Sequence, residues 1–249
     1  MRTVRLVVAY DGTGFHGWQT QPEMRTVQRS IEEVLADVLN EPDVRLHGAG
    51  RTDSGVHARG QVASFVTEAA LPARAFAPLL NRRLPGDVRV REAADAPSGF
   101  HARHSARARR YAYRLLERED VLIERFAWAC RRRFDAERLD RATRCLEGEA
   151  DFSAFQSTGS SPANPRCRVH RARWSRQRGG ARLDIVADHF LYHMVRNIVG
   201  TALAAAASPD PAAAMREVLV SGSRARGGVT VPAHGLCLER VYYDEQAAR

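Results

Sequence analysis

The chain opens on a largely apolar run from Val4 to Tyr10, interrupted only by Arg5 and followed by Asp11-Gly12. That short run predicts a buried strand over residues 4–10, closed by a glycine-rich loop. After Pro22 the pattern changes, and Val27, Ile31, Val34, Leu35 and Val38 recur at helical spacing, predicting a helix over 26–40. Strands over 44–48 and 61–66, a helix over 73–83 and a strand over 88–92 follow. This strand–helix–strand–strand–helix–strand order is the split βαβ, or ferredoxin-like, pattern.

The break Ala96-Pro97-Ser98-Gly99 divides the chain into an N-terminal half, 1–97, and a C-terminal half, 98–249. In the second half the pattern predicts a strand over 109–116 and a helix over 136–147. A hairpin of 168–174 and 182–187 should turn through Gly179-Gly180. A long helix over 190–206, with Asp188 as its N-cap, precedes a short one over 211–220 and a strand over 235–243. Residues 157–165 read as a flexible loop. The order loosely repeats that of the first half without a residue-level repeat. The fold class is therefore α+β, with two halves that each carry a mostly antiparallel sheet.

A formal net charge of +9 points to a polyanionic partner. All 38 basic residues are arginine. The absence of lysine excludes Schiff-base chemistry, ordinary pyridoxal-phosphate catalysis and a P-loop lysine. The four cysteines, at 130, 145, 167 and 237, form no Cys-x-x-Cys pair and read as small buried hydrophobes in a reduced compartment. No apolar run approaches the roughly 20 residues of a membrane span, and Asp11 arrives too early for a signal peptide. Both point to the cytoplasm.

Chemistry concentrates in Gly48-Ala49-Gly50-Arg51-Thr52-Asp53-Ser54-Gly55-Val56-His57-Ala58. The glycines allow positive φ or close ligand approach, and a fixed cation such as Arg51 favours the charged form of a carboxylate. Asp53 is thus a candidate nucleophile or base. On local pattern alone the segment reads more readily as an Asx-turn in which Asp53 bonds its own backbone. In Arg109-Arg110-Tyr111-Ala112-Tyr113-Arg114, alternation puts Arg109, Tyr111 and Tyr113 on one strand face and Arg110 and Arg114 on the other. Tyrosines among arginines can stack a base while their neighbours hold phosphates, or they can pack in a core. On the long helix, spacing lines up Tyr192, His193, Arg196 and Gly200 opposite an apolar side of Leu191, Met194, Ile198 and Ala202. Such a stripe aims Arg196 at a cleft or simply at solvent.

Three rival motifs fail. Gly12-x-Gly14-x-x-Gly17 does not open into a helix, as a dinucleotide fingerprint must. His189 and His193 are four apart but lack an intervening glutamate and a third ligand, so no metal is expected. Asp53, Ser54 and His57 lack a Gly-x-Ser-x-Gly elbow.

Four segments, in order and spacing, resemble the tRNA pseudouridine synthase A family: Tyr10-Asp11-Gly12-Thr13-Gly14-Phe15-His16-Gly17-Trp18-Gln19, residues 50–58, Arg109-Arg110-Tyr111, and His193-Met194-Val195-Arg196-Asn197-Ile198-Val199-Gly200. The resemblance runs from Val4 to Tyr243. It implies isomerisation of uridine to pseudouridine at positions 38, 39 and 40 of the tRNA anticodon stem and loop, without cofactor or metal. It also implies a homodimer and two pseudo-symmetric halves flanking a basic catalytic cleft. Asp53 would be the essential aspartate and Arg51 the arginine that helps displace the target base. Tyr111 would stack on the uracil, Arg196 would pair with the aspartate, and Arg110 would bind RNA. Ser54 stands where alanine is also common in the family.

Overall fold

The computed structural model describes residues 1–159 and 164–244. The chain forms two compact units, Met1–Ala106 with Leu238–Tyr243, and Arg107–Cys237 with Asp244. The sequence break at Ala96-Pro97-Ser98-Gly99 lies inside the first unit, and residues 160–163 of the expected loop lie outside the described residues.

The first unit follows the order read from the sequence: β1 (Arg2–Tyr10), α1 (Val27–Leu39), β2 (His47–Gly48), β3 (His57–Thr67), α2 (Ala73–Asn81) and β4 (Val88–Asp95). β1 is the centre, antiparallel to both β3 and β4, and β2 pairs with β3. Val4, Leu6 and Val8 of β1 are fully buried, as are Val27, Ile31 and Leu35 of α1, which lie one turn apart. Edge-to-face packing of Phe65 on Phe76, at 5.2 Å and 79°, ties α2 to β3. β3 starts four residues before the expected strand at 61. Its residues are buried on both faces, so it lacks the alternation that would have marked its start.

The second unit contains β5 (Ala108–Leu116), β6 (Trp128–Ala129), α3 (Ala136–Arg144), β7 (Gly148–Asp151), β8 (Arg166–Gln177), β9 (Gly180–Ala187), α4 (Met194–Ala205) and α5 (Pro211–Ser221). Its strand order is β5-β9-β8-β7, with antiparallel neighbours, and β6 adds a short parallel pair to β5. Gly179, at φ +74°, makes the β8–β9 turn. The last strand, β10 (Leu236–Tyr242), belongs from Leu238 onward to the first unit and pairs there with β3. No helix among the described residues is long and apolar enough to cross a membrane.

The start of α4 corrects two sequence expectations. The helix begins at Met194, not 190, because His193 sits in the left-handed region at φ 60°, where a right-handed helix cannot continue. Asp188 is therefore not its N-cap. Its Oδ1 instead accepts from the backbone N–H groups of Arg168 and His189. The expected polar stripe also dissolves. Tyr192 and His193 precede the helix, and Gly200 is buried against backbone, where an added Cβ would meet the Val229 carbonyl oxygen at 1.8 Å.

Candidate functional site

In the first unit, two glycine-rich segments hold each other. Asp53 opens a turn closed by a hydrogen bond from Val56 N to its carbonyl oxygen at 3.1 Å. Gly55, third in the turn, has φ +79°, the conformation a type II turn reserves for glycine. The loop after β1 braces this turn. Trp18 N donates to Thr52 O at 3.1 Å, Ser54 Oγ donates to Phe15 O at 3.1 Å, and the Tyr10 and Thr52 hydroxyls share a buried hydrogen bond of 2.8 Å. Gly12 N donates to Nδ1 of the buried His57 at 3.0 Å.

The glycines of that loop permit this contact. A Cβ on Gly12 would lie 2.1 Å from Val56 O, and one on Gly17 2.6 Å from Thr52 O. Gln61 Nε2 secures the other side by donating to Gly50 O at 2.9 Å. Asp53 is half-buried on this frame and Arg51 beside it is exposed. Beside Gly50 there is open space, with nothing within 4 Å of an added Cβ. A carboxylate on backbone fixed at so many points is preorganised, which suits a nucleophile or base.

In the second unit, β5 presents the tyrosines, and they differ. Tyr111 is buried to 9% exposure, with the ring of Phe190 packed edge-on at 5.0 Å and 83°. Tyr113 is completely buried; its hydroxyl donates to Pro232 O at 2.8 Å, and Gly235 leaves room for its ring. Burial pushes the Tyr113 hydroxyl far above the usual phenol range, and the positive charge of Arg196 only partly offsets this. Tyr113 is therefore a core residue with a satisfied hydroxyl.

Arg109 Nη1 donates to Asp188 O at 2.7 Å. Arg110 grips Asp184 Oδ1 through Nε at 2.9 Å and Nη2 at 2.6 Å, and Arg182 shares that carboxylate at 3.1 Å. Arg196, half-buried on α4, donates from Nε to Val231 O at 2.8 Å. The Asp188 carboxylate, and after it the Cys167 thiol, hold the His189 imidazole up to about 10. The two units thus carry the residues singled out in the sequence as separate sets: Arg51 and Asp53 in the first, Arg110, Tyr111 and Arg196 in the second.

Comparison with known proteins takes in three of the four segments within the family match, and Arg109-Arg110-Tyr111 lies outside it. Residues 6–105 and 142–244 match the family described as tRNA pseudouridine synthase. The chain is 39% identical over 249 residues to the tRNA pseudouridine synthase A of Citrifermentans bemidjiense, covering 99% of each chain. The chain belongs to the tRNA pseudouridine synthase A family. The protein of the same name from Geotalea uraniireducens is 39% identical over 245 residues, 98% of this chain and 100% of its own. The tRNA pseudouridine synthase A 2 of Clostridium perfringens is 36% identical over the same shares. Pseudouridine synthases are isomerases, and this chain is an enzyme of that class.

Sequence reading of this synthase missed the residues that act through others. Tyr10, Trp18 and His57 were visible only as parts of motifs, although Tyr10 is the polar end of an apolar run that folding buries. Phe190 was absorbed into an expected helix; the β5–β9 register pairs Tyr111 with Ile185, so its packing on Tyr111 comes from the turn after β9 and had no signal in the spacing.

Proposed function

We propose that the chain isomerises uridine to pseudouridine at positions 38, 39 and 40 in the anticodon stem and loop of tRNAs, with Asp53 as the nucleophile. The observation that carries this reading is the braced aspartate turn in a chain of this family. The reaction breaks the N1–C1′ bond, rotates the uracil and rejoins it through C5, with loss of the C5 proton. Attack of the carboxylate at C6 or at C1′ frees the base for that rotation, and neither route calls for a redox partner. Extruding the uridine from its stack costs a few kcal/mol. Arg51, exposed beside the turn, is assigned to the vacated space, and Tyr111 to the face of the extruded uracil, where stacking offsets the cost. Arg196 supplies the countercharge to the aspartate and Arg110 a phosphate contact. The reading includes two pseudo-symmetric halves flanking a basic catalytic cleft, a homodimer and a cytoplasmic setting.

The test is treatment of unmodified tRNA with purified protein, followed by mapping of carbodiimide-dependent reverse-transcription stops. Stops are expected at the three positions with the unaltered chain and at none with Asp53→Asn, which keeps the shape and loses the charge while retaining most tRNA affinity. Turnover by an Asp53→Asn preparation free of deamidation would remove Asp53 from its role, and stops confined to other positions would remove the assigned target.

A further inference from the structure

Beyond the side chains assigned to the aspartate turn and the tyrosine strand, three donor side chains of the second unit converge. Cys167 lies near the start of β8, and Asp188 and His189 directly follow β9. The β8–β9 register pairs Val169 with Ala187, and continuing it outward by two residues sets Cys167 opposite His189. One potential ligand atom from each of Cys167, Asp188 and His189 lies within 4.8 Å of the others.

The arrangement is ordered from the carboxylate outward. Asp188 Oδ1 accepts from Arg168 N at 3.1 Å and His189 N at 2.6 Å, and lies 2.9 Å from His189 Nδ1. The ring is thereby fixed with Nε2 3.3 Å from the buried Cys167 Sγ and 3.0 Å from the carbonyl oxygen of Asn164. A carboxylate on one imidazole nitrogen, with the other facing a thiol, is how proteins orient and strengthen a histidine ligand. Sulfur at ~2.3 Å and nitrogen at ~2.0 Å from a tetrahedral ion stand roughly 3.5 Å apart, close to the 3.3 Å here.

We propose that Cys167 Sγ and His189 Nε2, with the Asn164 carbonyl oxygen as a third donor, bind a thiophilic divalent cation of the zinc class, and that Asp188 orients the histidine. Thiolate and imidazole select such an ion over magnesium or calcium, which take oxygen donors. Entry of the ion releases the thiol proton and the Nε2 proton to solvent, with no change of oxidation state. The half-exposed side chain of His189 gives the ion access. The site differs from the pair weighed in the sequence, because His193 lies outside the helix with Nδ1 3.1 Å from Ser157 Oγ. His189 is followed by Phe190, so a bound ion would fasten the segment that packs on Tyr111.

The experiment is titration of the purified full chain with Co²⁺, followed by absorbance, and then displacement by Zn²⁺. One Co²⁺ per chain should bind with a near-ultraviolet sulfur-to-cobalt charge-transfer band that Zn²⁺ abolishes. Cys167→Ser should lose the band, and His189→Gln should weaken binding at least as much as Asp188→Asn. Asp188→Asn should keep the band with affinity about 10–100-fold lower, the usual effect of removing an outer partner. Cys145→Ser should bind like the unaltered chain. If thermal melting shows that Cys167→Ser does not fold, His189→Gln carries the decision. Absence of the band in the unaltered chain, or its survival in Cys167→Ser or undiminished in His189→Gln, would leave these residues as a hydrogen-bonded strap and overturn the proposal.

Discussion

Gly17→Ala should uncouple the aspartate turn from the loop that braces it. Gly17 has φ +86°, and an alanine Cβ would lie 2.6 Å from the Thr52 carbonyl oxygen and 3.3 Å from the Asp53 carbonyl carbon. Holding a non-glycine residue at positive φ costs about 1–2 kcal/mol. Overpacking against unyielding backbone adds about 1–3 kcal/mol, giving a total of roughly 2–5 kcal/mol. A native stability of about 5–15 kcal/mol leaves the variant largely folded except where the largest cost meets the lowest stability. Gly179 is the control, since its φ of +74° carries the backbone cost but nothing lies within 4 Å of an added Cβ. Urea unfolding should therefore show Gly17→Ala destabilised beyond Gly179→Ala by about 1–3 kcal/mol. Relief of the clash moves Thr52 and with it Asp53, and a displacement near 1 Å can cost about 100-fold in rate. Single-turnover pseudouridine formation, measured where both variants are folded, should fall by that order for Gly17→Ala and stay near normal for Gly179→Ala. Equal unfolding midpoints and equal rates for the two would refute the claim that this contact holds the turn.

Tyr111→Phe should bind tRNA normally but turn over slowly in single-turnover assays if the hydroxyl takes part in the chemical step, whereas a pure stacking role predicts loss only in Tyr111→Ala. Tyr113→Phe should cost about 1 kcal/mol in stability, from the hydrogen bond to Pro232 O, with a mild effect on rate. Arg110→Gln should weaken substrate and non-substrate tRNAs alike and lower the slope of log affinity against log salt by about 1. An unchanged slope would mean that Asp184 already claims the charge. The Asp210 carboxyl, at the N-cap of α5, is held below the usual carboxylate range by the N–H groups of Ala213 and Ala212. A depressed value means that its contribution is present above the unfolded value of about 3.9 and is lost as pH falls through the lower folded one. Melting curves in that acid window should decline less steeply for Asp210→Asn than for the unaltered chain.

Where one force determined the local structure, the sequence displayed it. β1 is legible because one face of each residue pair is buried, and α1 because Val27, Ile31 and Leu35 return on one side each turn. The aspartate turn is legible for a different reason. Its glycines answer to backbone contacts, such as Gly17 against Thr52, that permit no other residue, so the motif records a three-dimensional constraint directly in residue type. β3 was legible only in part, and β7 not at all: burial on both faces of the first removes alternation, and Gly148-Glu149-Ala150-Asp151 has no apolar side to show.

The misread start of α4 is the most instructive case, because helical periodicity did continue back through Leu191. Periodicity reports which side chains are buried, and Leu191 is buried whether it belongs to a helix or to the turn before one. What ends the helix is the left-handed backbone of His193, a conformation that hydrophobic spacing does not encode. The consequence reaches the site. An early helix would have presented Tyr192 and His193 beside Arg196 as a polar stripe. The turn instead leaves Arg196 as the half-buried cation in the first turns of a largely buried helix, and it frees residues 188–190 to contact β8 and β5. Asp188 and His189 then lock onto the start of β8, and Phe190 onto Tyr111. Replacing His193 with glycine, which adopts positive φ without strain, should preserve both contacts. A β-branched residue there should draw the backbone out of the left-handed region and loosen Phe190 from Tyr111.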